Sequence, residues 1–457
     1  MMIIKSVKAV ALLLAVALLN TGDAAAMTIR EALEYAMEHN RDILAAGQNI
    51  VEREGQVIEA RSEAFPQLNL AMNGFRVRDP GFLNSTFGQE LLKGGGGGGG
   101  NDLGIPIEAI LPKPQTFYDM TLNFSQPLFT WGKVGNAMKV AKLGRREMDL
   151  ALSDIRRQVA YDVTSAYYDI LLAEESIEIY KQAIETQQRY LKQTRDFFEV
   201  GDGTRLQVLR AESQLARTQP DLLAAENELD QSSKRLNFLL GRDLDAVLSN
   251  IELAQEDDFM VPALDSVSGV AASLRPDLKA MDVSVQFYDK TINVFKADFR
   301  PRADLRGYYG FSTINTDDLL DRNFESWRVA LEISIPVFDG LRNRGVVKQY
   351  TAIRDRRRIE RSRLDESIRL ESRQVIDAVR NTRHIYDARI RELTSSGEEE
   401  RVARDQFEQS LITMYELMDS HRRAIEARTG MLVARYNYLR KIAELKKVMG
   451  VPVKDLF

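Results

Sequence analysis

The sequence predicts a mainly α-helical chain with four amphipathic β-strands, built from two copies of one structural plan. Three observations support this fold class. Matching residues recur at a constant spacing, long proline-free stretches carry apolar side chains at helical spacing, and short segments alternate apolar with polar residues. Constant spacing is the signature of an internal repeat, whereas the other two patterns are typical of helices and strands.

The repeat covers nearly the whole chain after its N-terminal segment. Matching residues lie 209 positions apart, from the pair Pro127 and Pro336 to the pair Gly241 and Gly450. Further upstream the offset becomes 235, because the first copy carries extra residues within 80–116. The predicted division is a signal peptide at 1–26, a first repeat at 27–241, a second repeat with the same plan at 242–450 and a C-terminal tail at 451–457.

Each copy is predicted to begin with a helical segment and to end in a very long helical hairpin. The leading segments are 28–63 and about 265–298. No proline occurs between Pro127 and Pro220, and the first long helix is predicted at about 136–199. At about 1.5 Å per residue this helix is on the order of 95 Å long. Such a length favours a tube or a coiled coil over a compact globular core.

The strands stand between the leading segment and the hairpin of each copy, and are predicted near 67–78, 118–127, 301–312 and 327–336. In the second strand apolar side chains point one way and polar ones the other, namely Tyr118, Met120, Leu122 and Phe124 against Asp119, Thr121, Asn123 and Ser125. A half-buried sheet in a soluble domain would show the same alternation. The charged second face favours a transmembrane barrel around water. Four strands cannot close a barrel, so this interpretation requires the chain to oligomerise.

The N-terminus predicts export from the cytoplasm. Lys5 and Lys8 precede an apolar stretch at 9–19 and a run of small residues ending at Ala26. These are the features of a cleavable secretory signal. The apolar stretch has about ten residues, which is short of the ~20 that a spanning helix needs. We therefore expect a mature chain that starts near Met27.

Composition excludes several function classes. The net charge of -5 gives no broad attraction for nucleic acid, and an absence of cysteine removes disulfides, thiolate metal sites and a catalytic thiol. The histidines His39, His384 and His421 form no metal-binding pair and are expected to be surface or packing residues. The glycine run at 94–100 lacks the strand and helix context of a nucleotide-binding loop and is interpreted as an external loop. No enzyme, cofactor or metal is expected.

Several segments, in this order and spacing, resemble the outer membrane efflux protein family, the TolC-like outer membrane factors. The matching segments are TIREALEYAMEHNRDILAA at 28–46, EAFPQLNL at 63–70, FSQPLFTWGKV at 124–134, AYYDILLAEE at 166–175, FEVGDGTRLQVLRAESQLA at 198–216, LNFLLG at 236–241, RPDLKAM at 275–281, SIPVFDGLRNR at 334–344 and KVMG at 447–450. One departure is the second tip, FEQSLITMYELMD, which lacks a counterpart of Gly201; its turn geometry is therefore expected to be less secure.

The resemblance implies a homotrimer in which four strands per protomer make a twelve-stranded β-barrel in outer-membrane lipid, continued by a long α-helical barrel across the periplasm. Family members are passive exit ducts of tripartite efflux pumps or type I secretion systems. Their partners are a periplasmic adaptor (membrane fusion) protein and an inner-membrane pump. The alternative is a periplasmic coiled-coil adaptor, which would also contain a long helical hairpin. Two equivalent hairpins and barrel-type strands favour the duct.

The hairpin turns at 200–206 and 409–413 are candidate adaptor contacts, because they occupy equivalent positions in the two copies and lie farthest from the strands. The residues proposed for this contact are Gly201, Thr204, Arg205, Leu206, Leu411 and Thr413. An alternative role for the two threonines is to cap the returning helices.

A periplasmic gate is predicted directly after the second turn. Glu416 and Asp419 are three residues apart and so share one side of a helix. The resemblance implies acidic residues at these positions around a closed aperture, where a trimer would bring six carboxylates together. Tyr415 is a candidate restraint, and Gln207 is the uncharged counterpart of Glu416 in the first copy. Ordinary solvated carboxylates are the alternative interpretation.

Overall fold

A computed structural model describes residues 27–78, 114–248 and 262–451. The predicted signal peptide, the glycine run and residues 452–457 lie outside these ranges. The described helices are α1 (Ile29–His39), α2 (Arg41–Ser62), α3 (Lys133–Glu199), α4 (Arg205–Leu240), α5 (Leu264–Leu274), α6 (Pro276–Asp298), α7 (Arg342–Glu408) and α8 (Met414–Met449). The strands are β1 (Gln67–Val77), β2 (Gln115–Phe129), β3 (Arg302–Thr313) and β4 (Glu325–Ser334). All four agree with the predicted strands to within three residues.

The long helices have equal lengths in the two copies. Helices α3 and α7 each contain 67 residues, and α4 and α8 each contain 36 residues. The lengths are equal because the first and last residues of each helix in the first copy lie 209 positions before those of the matching helix in the second copy. Among the described helices, none is both long enough and apolar enough to cross a membrane.

Each leading segment, predicted to be helical, consists of two helices in the structure. The break between α1 and α2 falls at Asn40, whose extended backbone leaves its side-chain Oδ1 free to accept from the backbone N–H of Asp42 at 3.0 Å and of Ile43 at 3.1 Å. The matching break falls at Arg275, directly before Pro276. A side-chain cap and a proline are both ordinary helix boundaries.

The described chain forms two compact units, and the first contains the strands, with the described residues 53–78, 114–144 and 285–355. The sheet is antiparallel, with strand order β1-β2-β3-β4. Its register places Leu70 opposite Leu122, Leu122 opposite Tyr309, and Tyr309 opposite Trp327. This row of apolar side chains confirms the faces predicted from the alternation, because a shift of one residue would have reversed them.

Two consecutive residues with left-handed backbone join each strand pair to its long helix. They are Trp131 and Gly132 before α3, and Gly340 and Leu341 before α7. Nearby, Lys133 Nζ pairs with Asp298 Oδ1 at 2.6 Å, and Asn343 Nδ2 donates to the backbone oxygen of Phe295 at 2.6 Å. In the same unit these contacts fix the starts of α3 and α7 against the end of α6.

The second unit contains the described residues 27–52, 145–248, 262–284 and 356–451, and its core consists of apolar clusters between helices. The largest cluster joins α1, α3 and α4 through Ile29, Val163, Tyr167 and Leu236, with Tyr436 of α8. A second joins α5, α7 and α8, and a third lies at the ends of the hairpins. Long helices are therefore stabilised by packing against each other over much of their length.

Candidate functional site

The two hairpin turns, predicted as equivalent tips, have the same backbone geometry. In the first, the N–H of Gly201 donates to Phe198 O at 3.2 Å and that of Asp202 to Phe197 O at 2.9 Å. In the second, Ser410 donates to Phe407 O and Leu411 to Gln406 O, both at 2.9 Å. Both turns thus close the last helical turn in the manner of a Schellman motif.

The expectation that the second turn would be less secure without a glycine is wrong for the backbone. Ser410, the residue 209 positions after Gly201, adopts a left-handed conformation with φ 61°, where Gly201 has φ 88°. The hydrogen bonds of the turn are retained in both copies. Because the hydrogen bonds stabilise the conformation, serine is accommodated at the expense of local backbone strain.

Both returning helices begin with a capping box. Gln207 Oε1 accepts from the backbone N–H of Thr204 at 2.7 Å, and Thr204 Oγ1 accepts from that of Gln207 at 3.3 Å. Glu416 and Thr413 make the same pair of bonds at 2.7 and 3.3 Å. The capping role considered for the threonines is therefore present, and Gln207 and Glu416 share it.

The predicted gate residues each have a partner within the described chain. The Glu416 carboxylate is turned back to Thr413, whose backbone N–H and hydroxyl lower the pKa of Glu416. Asp419 Oδ1 accepts from Arg422 at 2.7 Å, and Arg423 is a second partner. The hydrogen bond from Arg422 and the charges of both arginines lower the pKa of Asp419 although partial burial opposes the shift. Both carboxylates are thus ionised at neutral pH.

Tyr415 connects the two hairpins. The guanidinium carbon of Arg210, on α4, lies 4.8 Å from the centroid of its ring. A guanidinium at this distance is attracted by the negative face of the ring. The contact links the start of α8 to α4, and the role of Tyr415 as a restraint on the gate carboxylates stays a prediction.

The tips expose apolar side chains beside a groove. Leu206 and Leu411 are 55% and 67% exposed, and Arg205 is exposed between Thr204 and Leu206. A groove of about 520 Å³ lies next to the second turn, with walls from α3 and α7 that include Tyr190, Phe197, Phe407, Arg189 and Arg404. Aromatic and cationic side chains of this kind are enriched in protein interfaces.

Sequence reasoning missed a buried polar cluster behind these tips. His421 Nδ1 lies 2.7 Å from Glu400 Oε1, and Arg428 donates to Glu400 Oε2 at 2.9 Å. Burial acts to raise the pKa of Glu400, but the hydrogen bond from His421 and the charges of Arg428 and Arg404 outweigh it and leave the pKa lowered. Comparison of the repeats could have found the cluster, since Leu191 occupies the position that matches Glu400.

The sheet presents a charged face and an apolar face. On the charged face, Arg306 pairs with Glu332 at 3.2 Å, and Asp119 accepts a hydrogen bond from Ser312 at 2.6 Å. The other face exposes large apolar side chains, among them Leu68, Leu70, Met72, Trp327, Val329, Leu331 and Ile333. A contiguous row of exposed large apolar side chains marks a surface for contact with lipid or with another protein.

Two long matched helical hairpins combined with an amphipathic four-stranded sheet are typical of a membrane protein whose strands face lipid on one side. The sequence profile of the outer membrane efflux proteins matches residues 32–242 and 267–451, so the chain belongs to the outer membrane efflux protein family. This match favours the family that the sequence resembles over the alternative of a periplasmic coiled-coil adaptor.

Known relatives are similar over most of their length. The toluene efflux pump outer membrane protein TtgF of Pseudomonas putida is 24% identical over 92% of this chain and 83% of its own. The alkaline protease secretion protein AprF of Pseudomonas aeruginosa is 24% identical over 73% and 70%. The solved CmeC outer membrane channel of Campylobacter jejuni has the same fold, with a TM-score of 0.79 at 17% identity over 92% of this chain and 85% of its own.

Proposed function

We propose that the chain is the outer-membrane exit duct of a tripartite efflux pump or a type I secretion system. It is a passive, non-catalytic channel that lies in the outer membrane and extends into the periplasm. The observation that carries this proposal is the combination of two matched helical hairpins with a sheet that is apolar on one face and charged on the other. Relatives named for toluene efflux and for protease secretion support both system types.

The sheet supports assembly as a homotrimer. Strands β1 and β4 each have one neighbour in the strand order, so both edges of the described sheet are open. Open edges are not tolerated in lipid, and a barrel needs about eight strands or more. Three copies would supply twelve strands, with the apolar face against outer-membrane lipid and the charged face around water.

Membrane fractionation and mass measurement in detergent test this assembly. The expected result is an outer-membrane protein with the mass of three chains, which is about 155 kDa from 51.8 kDa per chain including the N-terminal segment. Removal of a signal peptide would lower that mass slightly. A soluble monomer would contradict the proposal.

The tips are the proposed contact with the periplasmic adaptor, and through the adaptor with the inner-membrane pump. Matched turn geometry in the two copies and exposed leucines beside an aromatic groove support this role. Leu206→Asp should abolish pump or secretion activity while trimer and export persist. The matched control is Leu223→Asp, since Leu223 is a similarly exposed leucine on the same helix. Normal activity in the Leu206 variant would count against the contact.

Gly201, Thr204, Arg205, Leu411 and Thr413 belong to the same proposed contact. The proposed periplasmic gate consists of Tyr415, Glu416, Asp419 and Gln207, with the carboxylates of three protomers around one axis. The two-repeat division at 27–241 and 242–450 is likewise proposed, with support from the equal helix lengths of the two copies. No nucleic acid is expected as a partner.

A further inference from the structure

The charged face of the described sheet contains three arginines, and two of them have carboxylate partners. Arg306 pairs with Glu332 at 3.2 Å, and Arg302 lies 3.5 Å from Asp304. The third, Arg328 on β4, is exposed, and its side chain has no hydrogen bond, ion pair or ring contact within residues 27–78, 114–248 and 262–451. Within the described sheet this arginine is therefore an unpaired cation.

The strand register places Arg328 on the face opposite to the exposed apolar side chains. Its partner on β3 is Tyr308, and the same cross-strand row continues through Asn123 on β2 to Asn69 on β1. The preceding residue, Trp327, lies on the apolar face because successive side chains of a strand alternate. The row thus offers one guanidinium, one phenol and two amides, and it contains no carboxylate.

A groove of about 440 Å³ opens over this row on the charged face. Its polar lining consists mainly of side chains that donate hydrogen bonds, among them Asn69, Asn123, Arg306, Tyr308 and Arg328. Glu332 also lines the groove, but its carboxylate is paired with Arg306. A planar guanidinium fork matches the two oxygens of a carboxylate or a phosphate. The free guanidinium of Arg328 is therefore placed to receive such a group.

The other carboxylates of the charged face do not neutralise Arg328. Asp119 lies on β2, four residues along the strand from Asn123, which shares the row of Arg328. Four residues of a strand span about 13 Å. This exceeds the screening length of about 8 Å at physiological salt. Glu332 is also four residues from Arg328 and is engaged with Arg306.

Assembly of the proposed trimer would not bring a carboxylate from the adjoining strand either. Strand β4 is at an edge of the sheet, and in a closed barrel its open side would pair with β1 of the next copy. The side chains of β1 on the charged face are all uncharged, namely Gln67, Asn69, Ala71, Asn73, Phe75 and Val77. Three-fold symmetry would therefore place three unpaired guanidinium groups at one level of the barrel.

We propose that Arg328 forms an oxyanion-binding ring inside the barrel, which binds the carboxylate or phosphate groups of solutes in the lumen. This inference rests on the proposed function as a duct and assigns a ligand class to its barrel. Cations held between low-dielectric walls raise the local concentration of anions. The ring is opposite in charge to the carboxylates proposed at the gate, so the two ends of the duct attract ions of opposite sign.

The first test records single channels of the purified full-length protein in a planar bilayer. Citrate and inorganic phosphate are added in turn to the extracellular chamber, from which they reach the barrel without passing the proposed gate. Both anions should block the current, and the stronger block identifies the preferred group. Arg328→Gln should weaken the block about fivefold, which corresponds to the loss of an exposed ion pair of about 1 kcal/mol.

Two further variants separate the charge of Arg328 from its shape and from its position. Arg328→Lys should retain part of the block, because lysine keeps the charge but lacks the planar fork. The matched control is Arg76→Gln, since Arg76 is an exposed arginine of β1 whose register opposite Thr116 puts it on the apolar face. This control should be blocked like the unmodified protein. Because the Arg328 side chain makes no hydrogen bond or ion pair in the described chain, its variants should assemble normally.

Thiol labelling in detergent provides a second measurement that does not need a conducting channel. The chain has no cysteine, so Ala330→Cys introduces a unique thiol beside Arg328 on the same face. An anionic thiosulfonate reagent should label this thiol faster than a cationic one of similar size. Addition of Arg328→Gln should lower the ratio of the two rates about fivefold, and addition of Arg76→Gln should leave it unchanged.

An equal block in Arg328→Gln and the unmodified protein, or a ratio of labelling rates that Arg328→Gln does not change, would overturn the ring. If no channel forms under any condition, the proposed duct fails, and the labelling rates still decide whether Arg328 attracts anions.

Discussion

The glycine that ends α4 should be indispensable for stability, whereas the glycine at the first tip should not. Gly241 has φ 74°, and its N–H bonds to the carbonyl oxygens of Asn237 and Phe238. A Cβ at this position would lie 2.4 Å from the backbone oxygen of His39. Gly201 also has a left-handed backbone, with φ 88°, but a Cβ there would meet nothing within 4 Å.

The two substitutions therefore differ in one contribution to the free energy of unfolding, the steric overlap of the new Cβ with its surroundings. Gly241→Ala and Gly201→Ala each place alanine in the left-handed region, at about 1–2 kcal/mol. Only Gly241→Ala adds an overlap with a backbone atom, which cannot rotate away, and overpacking of this kind costs about 1–3 kcal/mol. The expected loss of stability is about 2–5 kcal/mol for Gly241→Ala and about 1–2 kcal/mol for Gly201→Ala.

Thermal unfolding in detergent, followed by far-ultraviolet circular dichroism at one scan rate, compares the variants. Gly241→Ala should lower the apparent Tm clearly more than Gly201→Ala. A third variant, Gly201→Ser, copies the residue at the second tip, Ser410, and should lower the apparent Tm about as much as Gly201→Ala, because serine also has a Cβ in the left-handed region. Equal losses for Gly241→Ala and Gly201→Ala would refute the role assigned to the contact with His39.

Three further predictions concern the second hairpin and the caps. The double variant Glu416→Gln, Asp419→Asn should reduce cation selectivity and block by multivalent cations in single-channel recordings. It should remain folded, because Gln207 forms the same capping box as Glu416 and shows that glutamine can replace glutamate there. Unchanged selectivity would show that neither carboxylate lines the pore. Thr204→Ala should lower stability by about 1 kcal/mol through loss of its cap, measured as a reduced Tm. Glu400→Gln should lower stability at neutral pH by about 3 kcal/mol, because it breaks a buried pair. Since the pKa of Glu400 is lowered in the folded state, its stabilisation is present above its ordinary value of 4.5 and is lost as pH falls through the lower folded value. Acid unfolding below that range should consequently be shallower in Glu400→Gln, and an unaltered slope would contradict the assignment.

Periodicity predicted most of the fold because it is a local property. The alternation around Leu122 determines which face its side chain takes, and the register opposite Leu70 and Tyr309 agrees. The long helix was predicted at 136–199 and begins at Lys133, because the left-handed pair before it, Trp131 and Gly132, has no strong sequence signal apart from the glycine.

The contacts of the site could not be predicted in the same way. Tyr415 meets Arg210 across two hairpins, and Glu400 meets His421 across 21 residues, so their pairing depends on how helices pack. The second tip was misjudged because the backbone hydrogen bonds at Ser410, rather than the residue type, maintain the turn. Histidine as a packing residue was a correct but incomplete expectation for His421.

The open edges of the sheet also bear on how the protein is made. Until other strands pair with them, the edge strands β1 and β4 offer unpaired backbone groups, beside a face on which Leu70 and Val329 are mostly exposed. A newly exported chain with this sheet already formed would be prone to aggregate in water. Biogenesis therefore favours chains whose strands form late, at the membrane and together with their neighbours.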